Sequence, residues 1–203
     1  MNINAIKLMF AYNNWANEKI LATAKKITLE QLTTKQDVSW GSLRGTLVHT
    51  LDCEWGWRVL LQHGENVPVL NADDFPDVAS IRTHWHKEET AWDAYLDSLS
   101  DDDVDDIITY GSPDNKRSQT LWHCLYHVVN HGMQHRSECA VMLTNFGQSP
   151  GEIDFAQFMN GREDQTPFAL DDIKRIHAYH DWANDRILTM AENVTPEQLT
   201  APQ

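Results

Sequence analysis

The sequence predicts an all-α protein: a four-helix bundle with an extra helix at the C-terminal end. Three observations predict it. Apolar residues recur at the helical period along most of the chain. Capping and stopping residues bracket those stretches. The segments between them are of the kind that joins the helices of a bundle.

The first helix spans about Asn4 to Lys26, with Ile6, Met9, Phe10, Asn13, Ala16, Ile20 and Leu21 near one side. Thr28 and Gln31 follow as a capping box. The second helix starts near Ser42 and is stopped by Gly64 and Pro68. The third covers about Val78 to Leu99. The fourth covers about Ser118 to Phe146, and Gly147 closes it. Between the last two, Ile107–Tyr110 is β-prone and Gly111–Pro113 is a turn, so a short strand or hairpin is expected there. Gly147–Phe155 reads as a loop.

An internal repeat supplies the extra helix. Ile6–Thr33 aligns without gaps to Ile173–Thr200, and 15 of the 28 positions are identical. Residues 1–160 are therefore expected to form the bundle. Residues 161–203 are expected to form a linker and the opening of a second unit. A single helix cannot bury its own apolar face, so this one is expected to pack against protein.

Composition removes several function classes. Asp and Glu number 30 against 16 Lys and Arg, a formal net charge of −14. Such a chain repels phosphate backbones, which argues against nucleic-acid binding. The run from Leu99 to Asp106 reads as a solvated turn. Three cysteines without a CxxC do not make a disulfide framework. The start has no signal-peptide core and no stretch is apolar enough to span a membrane, so a cytoplasmic protein is expected. There is no HExxH, no paired Glu-x-x-His, no P-loop, no GxGxxG and no GxSxG. Eight tryptophans suggest a well-filled core or an aromatic-lined cleft.

The stretch LWHCLYHVVNHGMQHRSEC places His123, His127, His131 and His135 four residues apart. With Leu121 at zero and about 100° per residue, Leu125, Val128, Val129, Gly132, Cys139, Leu143 and Phe146 fall roughly between −20° and +80°. His135 then lies at about −40°, His131 at about −80°, His127 at about −120° and His123 at about −160°. Two histidines border the core and His123 points away. An i, i+4 pair on one face can chelate an ion, and a third ligand must come from another helix. His49 is the candidate, a polar residue aligned with Cys53, Trp57 and Leu60. Cys53 and Cys139 read as small core residues. His84 and His86 lie on opposite sides of their helix. His177 and His180 stand where Phe10 and Asn13 stand in the first copy, so neither is expected to be a ligand.

Four segments together resemble the DinB family of DinB/YfiT-like bundles: YNNWANEKIL, GSLRGTLVHTLDCEWGW, HVVNHGMQHRSE and GQSPGEIDF. The resemblance implies an up-down-down-up bundle and one divalent metal, nickel or zinc, on His49, His131 and His135. It implies a thiol transferase or a thiol-dependent isomerase using a low-molecular-weight thiol, and often a homodimer. Ser137 and Glu138 depart from the Gly and Gln that relatives often carry after His-Arg, which touches the surroundings of the ligands. Three neutral imidazoles would leave open coordination positions, as in catalytic sites. The expected function is a metal-dependent thiol transferase or hydrolase acting on a small electrophile, with Glu54 and Glu138 as candidate acid–base groups. The rival is a non-catalytic module whose metal is closed by a fourth protein ligand. A third reading is metal-free, with the histidines forming a hydrogen-bonded core.

Overall fold

The computed structural model describes residues 1–162 and 170–200. The chain divides into two compact units, residues 2–166 and residues 167–203 with Met1. Four long helices build the first unit: α1 (Ile3–Ala24), α3 (Leu43–His63), α4 (Val78–Asp97) and α5 (Leu121–Asn145). Between them lie the short α2 (Leu29–Thr33) and an antiparallel hairpin of β1 (Ile107–Ser112) and β2 (Asn115–Thr120). The short α6 (Phe155–Met159) ends the unit.

Local chemistry sets the helix ends. Asn2 caps α1 by accepting from the Ala5 amide, and Ser42 caps α3 by accepting from Gly45. Thr28 and Gln31 form the expected capping box of α2. Asp77 and Ser80 form another on α4. After α5, Gly147 adopts φ +78°, and the Gln148 amide donates back to Leu143 O at 2.8 Å. That left-handed position suits glycine. The fourth helix starts three residues later than its sequence pattern suggests. Ser118, Gln119 and Thr120 pair instead with Thr109, Ile108 and Ile107. The β-prone partner strand captures a polar segment that helical periodicity alone assigns to the helix.

Contacts between helices give their directions. Along α3 and α4, Glu54 meets Trp85, Arg58 meets Glu88, and Leu61 O accepts from Tyr95. Both numberings rise together, so these helices are parallel. Lys7 pairs with Asp97 and Glu18 with Arg82, so α1 runs against α4. His49 packs on His135 and Trp57 on His127, so α5 runs against α3. The topology is up-down-down-up, as the resemblance implies. Parallel α3 and α4 need a connection that returns along the bundle. Residues 64–77 supply it: 14 residues reach ~46 Å, against ~31 Å for the 21-residue α3.

The core is layered along the axis. Ile20, Leu21, Leu43, Leu47, Leu51, Ile81 and Leu143 pack at one end. Trp92, its ring tilted 43° to that of Phe10 with centroids 4.7 Å apart, is buried elsewhere in the core. A buried polar network crosses the bundle. Arg136 Nη1 donates to Asn13 Oδ1 at 2.5 Å and Asn17 Oδ1 at 2.8 Å. The two asparagine Nδ2 groups donate to Glu54 Oε1 at 2.8 and 3.0 Å. Trp85 Nε1 donates to Glu54 Oε2 at 2.8 Å.

The second unit contains α7 (Leu170–Ala191) and α8 (Pro196–Thr200). It repeats α1 and α2 down to the capping box, with Thr195 and Gln198 replacing Thr28 and Gln31. Its apolar residues Ile173, Trp182, Ile187, Leu188 and Met190 are exposed. Among its described residues, no apolar side chain is buried.

Gly132 lets the network form. A methyl group there would lie 2.7 Å from Arg136 Nη1 and 2.8 Å from Asn13 Oδ1. Gly132→Ala should therefore destabilise the fold by ~1–3 kcal/mol through overpacking. The ~1 kcal/mol that alanine gains in helix propensity offsets part of this, leaving a net loss of up to ~2 kcal/mol. Urea midpoints of the two proteins test it; an unchanged or higher midpoint for the variant would show that Arg136 can move aside.

Candidate metal centre

The site lies where the middle of α3 faces α5. Helical spacing puts His131 and His135 one turn apart on α5, with Nε2 atoms 3.2 Å apart. His49 of α3 meets both rings, its centroid 5.2 Å from His131 and 4.8 Å from His135. Cys53, one turn after His49, brings Sγ to 3.5 Å from His49 Nε2. Among the described residues, the ligand atoms of His49, Cys53 and His131 lie within 4.8 Å of one another. This His/Cys/His group could hold a metal ion.

The spacings suit that use. Two nitrogens bound tetrahedrally at about 2.0–2.1 Å lie about 3.3–3.4 Å apart. A nitrogen and a thiolate sulfur at about 2.3 Å from the ion lie about 3.5 Å apart. The observed 3.2 and 3.5 Å are close to these edges.

The surroundings orient the rings. His135 Nδ1 lies 2.9 Å from Glu138 Oε2. A carboxylate can only accept, so Nδ1 carries the proton and Nε2 turns its lone pair to His131. Trp40 stacks on His49 with centroids 3.7 Å apart and planes 17° apart. Trp40 is exposed, so the indole covers the cluster from the solvent side. His127 sits further out, its ring 5.6 Å from His131 and 5.2 Å from Trp57. His123 is exposed and packs on Trp122. His84 meets Phe75, and His86 meets Glu89. His177 contacts Asp181 in the second unit.

Burial governs the charges. It lowers His49 to about 4, with help from His135. It lowers His131 to about 4, with help from His135, His49 and His127. Both rings are neutral at physiological pH, the form that ligates metal. The Cys53 thiol is pushed up to about 12, by burial first and then by Asp52 and Glu54. Without a cation it is a thiol; a coordinated ion would deprotonate it.

The structure brings together the three histidines picked out by helical spacing and adds Cys53, which the sequence pattern reads as a core residue. Cys53 is only partly buried, whereas Cys124 and Cys139 lie in the core. Glu138 touches His135. Glu54 is engaged elsewhere: both its oxygens accept from Asn13, Asn17 and Trp85. Trp40 has no periodic signal in the sequence. Arg136 and Asn17 are also missed, although an arginine at about +60° on the α5 wheel, inside the apolar stripe, is a readable sign of a buried charge.

Fold and site together define a four-helix bundle with a histidine–cysteine group suited to a metal ion. The chain belongs to the DinB family, whose model matches residues 1–166. Its fold is shared by a crystal structure of a DinB-like protein from Bacillus cereus ATCC 10987, 17% identical, with a TM-score of 0.54. That match covers 74% of this chain and 97% of the other. A conserved protein from Enterococcus faecalis also has a TM-score of 0.54, at 13% identity, covering 68% of this chain and 94% of its own. No curated protein matches the chain. Among the described residues, no helix is long and apolar enough to cross a membrane.

The buried imidazoles make stability depend on pH. In the unfolded chain His49 and His131 take up protons near 6.5; in the folded protein they resist until about 4. Their contribution is complete above about 6.5, falls as pH drops toward about 4, and is level below that. Melting temperatures of chelator-treated protein should fall across this window, and less steeply for His131→Ala. Equal slopes would show that the rings are protonated without strain.

Proposed function

We propose that the chain is a metal-dependent enzyme of thiol-transferase or hydrolase type, acting on a small electrophilic substrate. Its divalent ion, nickel or zinc, is held by His49, His131 and His135. One observation carries the reading: two Nε2 atoms 3.2 Å apart on α5, one oriented by Glu138, face a third imidazole from α3. An ion there would supply a thiolate or hydroxide near neutral pH.

The chain's own groups do the rest. Glu138 fixes the His135 tautomer by accepting from Nδ1 at Oε2, and its second carboxylate oxygen is the one that can take or return a proton. Trp40 limits water at His49. Glu54 positions rather than transfers protons, because its oxygens are already engaged. A low-molecular-weight thiol as co-substrate, a homodimer and a cytoplasmic location belong to the same proposal. The net charge of −14 supports a small-molecule partner rather than nucleic acid.

Cys53 favours a second reading. At 3.5 Å from His49 Nε2 it could close the coordination sphere and make the ion structural. The ion would then stabilise the protein by binding only its folded form.

Elemental mass spectrometry of tag-free protein tests the site. About one ion per chain should be found, then lost in His49→Ala, His131→Ala and His135→Ala but kept in His123→Ala. Metal retained in all four variants would end the proposal. Cobalt(II)-loaded protein separates the two readings. A sulfur-to-cobalt absorption band that disappears in Cys53→Ser marks the closed, structural ion. Its absence, with exchangeable water on the metal, marks the open one.

A further inference from the structure

Beside the histidine–cysteine cluster lies a solvent-open cavity of about 230 Å³. Asp52, Cys53, Gly56, Trp57 and Leu60 of α3 line it with Asn66 and Val67 of the following loop. Cys53 belongs both to this lining and to the His49–His131 group. The cavity therefore reaches the cluster through Cys53.

Three features indicate a built recess. Gly56 lies in the middle of α3, where glycine weakens a helix relative to alanine. Close packing does not require it: a methyl group there would meet only Val67 Cγ2, at an ordinary 3.7 Å. What the missing side chain preserves is the space itself. Trp57 forms an aromatic wall braced by the Tyr110 ring at 5.1 Å and the His127 ring at 5.2 Å. Asp52 Oδ1 accepts from the Leu70 amide at 2.7 Å, which holds the far end of the loop.

The lining states what fits. An apolar cavity of about 150 Å³ accepts one benzene ring. This one has room for a ring with a short substituent. Trp57, Leu60 and Val67 suit its apolar body. The Asp52 carboxylate and a net charge of −14 repel an anion and favour a cation or a hydrogen-bond donor.

We infer that this cavity is the substrate-recognition site, and that it takes a compact aromatic or apolar group bearing a neutral or cationic donor, not an anionic one. The inference deepens the enzyme reading by naming the substrate class, and it rests on that reading for the reactive end of the substrate at Cys53.

The experiment uses matched probes, benzylamine and benzoate, titrated into ¹⁵N-labelled protein, metal-free and zinc-loaded, with zinc content measured in parallel. Benzylamine should shift the Gly56 and Val67 amides and the Trp57 indole in both forms. Benzoate should bind at least about tenfold more weakly. Gly56→Leu, which fills the recess and favours the helix, should abolish the shifts while zinc content and melting temperature hold. Asp52→Asn should narrow the gap between the probes. No shift at these residues, equal binding of benzoate, or binding that survives Gly56→Leu would each overturn the inference. The two readings fail separately. Protein that binds benzylamine but no zinc refutes the metal and keeps the recess; protein that binds zinc but not benzylamine does the reverse.

Discussion

Arg136 constrains the whole bundle. Its guanidinium is buried, and arginine does not give up its charge in proteins. It can only donate, so whatever faces it must accept. Asn13 and Asn17 therefore present their oxygens to Arg136. Their amide nitrogens are then left to donate, and Glu54 receives both. Trp85 fills the other Glu54 oxygen. Each orientation follows from the previous one. Residues from α1, α3, α4 and α5 are locked by a single buried cation. Burial pulls Arg136 down and Glu54 up, while the opposite charge of each pulls the other back. The three neighbours of Glu54 all donate and none offers an acceptor for a proton, so it stands as a carboxylate. Removing either charge strands the other, a cost of ~3–5 kcal/mol.

The network and the histidine–cysteine cluster are two faces of the same helices. Cys53 precedes Glu54 and His135 precedes Arg136. Successive helical residues point about 100° apart, so one of each pair enters the network and the other the cluster. Fixing Glu54 and Arg136 fixes the rotation of α3 and α5 about their axes. That rotation decides whether His49 meets His131 and His135 at all. The polar core thus sets the geometry of the cluster from the opposite faces of α3 and α5. Gly132, one position after His131, faces the network: a Cβ there would meet Arg136 Nη1 and Asn13 Oδ1.

This division explains what the sequence made legible. Helical spacing separated His131 and His135 from His123, because the apolar stripe of α5 is long and regular. Capping and stopping residues located the start of α2, both ends of α3 and the end of α5, because capping is local chemistry. The repeat in α7 and α8 shows the same limit: its capping box recurs, yet Ile187 and Leu188 are exposed where Ile20 and Leu21 are buried. A helix carries its caps with it, but burial belongs to its partners. Glu54, read as an acid–base candidate, depends on donors from two other helices. Trp40 lies in a loop with no period to read. Ser118–Thr120 have the pattern of a helix and the pairing of a strand, because β1 lies alongside.

Cys53 is where the site's chemistry is decided. Asp52 and Glu54 join burial in opposing its ionisation, so the thiolate depends on a cation. The same two carboxylates raise the local affinity for a cation, and a bound ion would draw the sulfur in. Cys53 also lines the cavity through which a substrate would arrive. On our proposal an incoming thiol and Cys53 seek the same coordination position. If Cys53 binds the ion tightly, the sphere is closed and the metal is a staple. If it binds weakly, it holds the site shut until a substrate thiol displaces it. On that proposal the balance between an internal and an external sulfur, set by two neighbouring carboxylates, would separate a stabilising metal from a reactive one in this bundle.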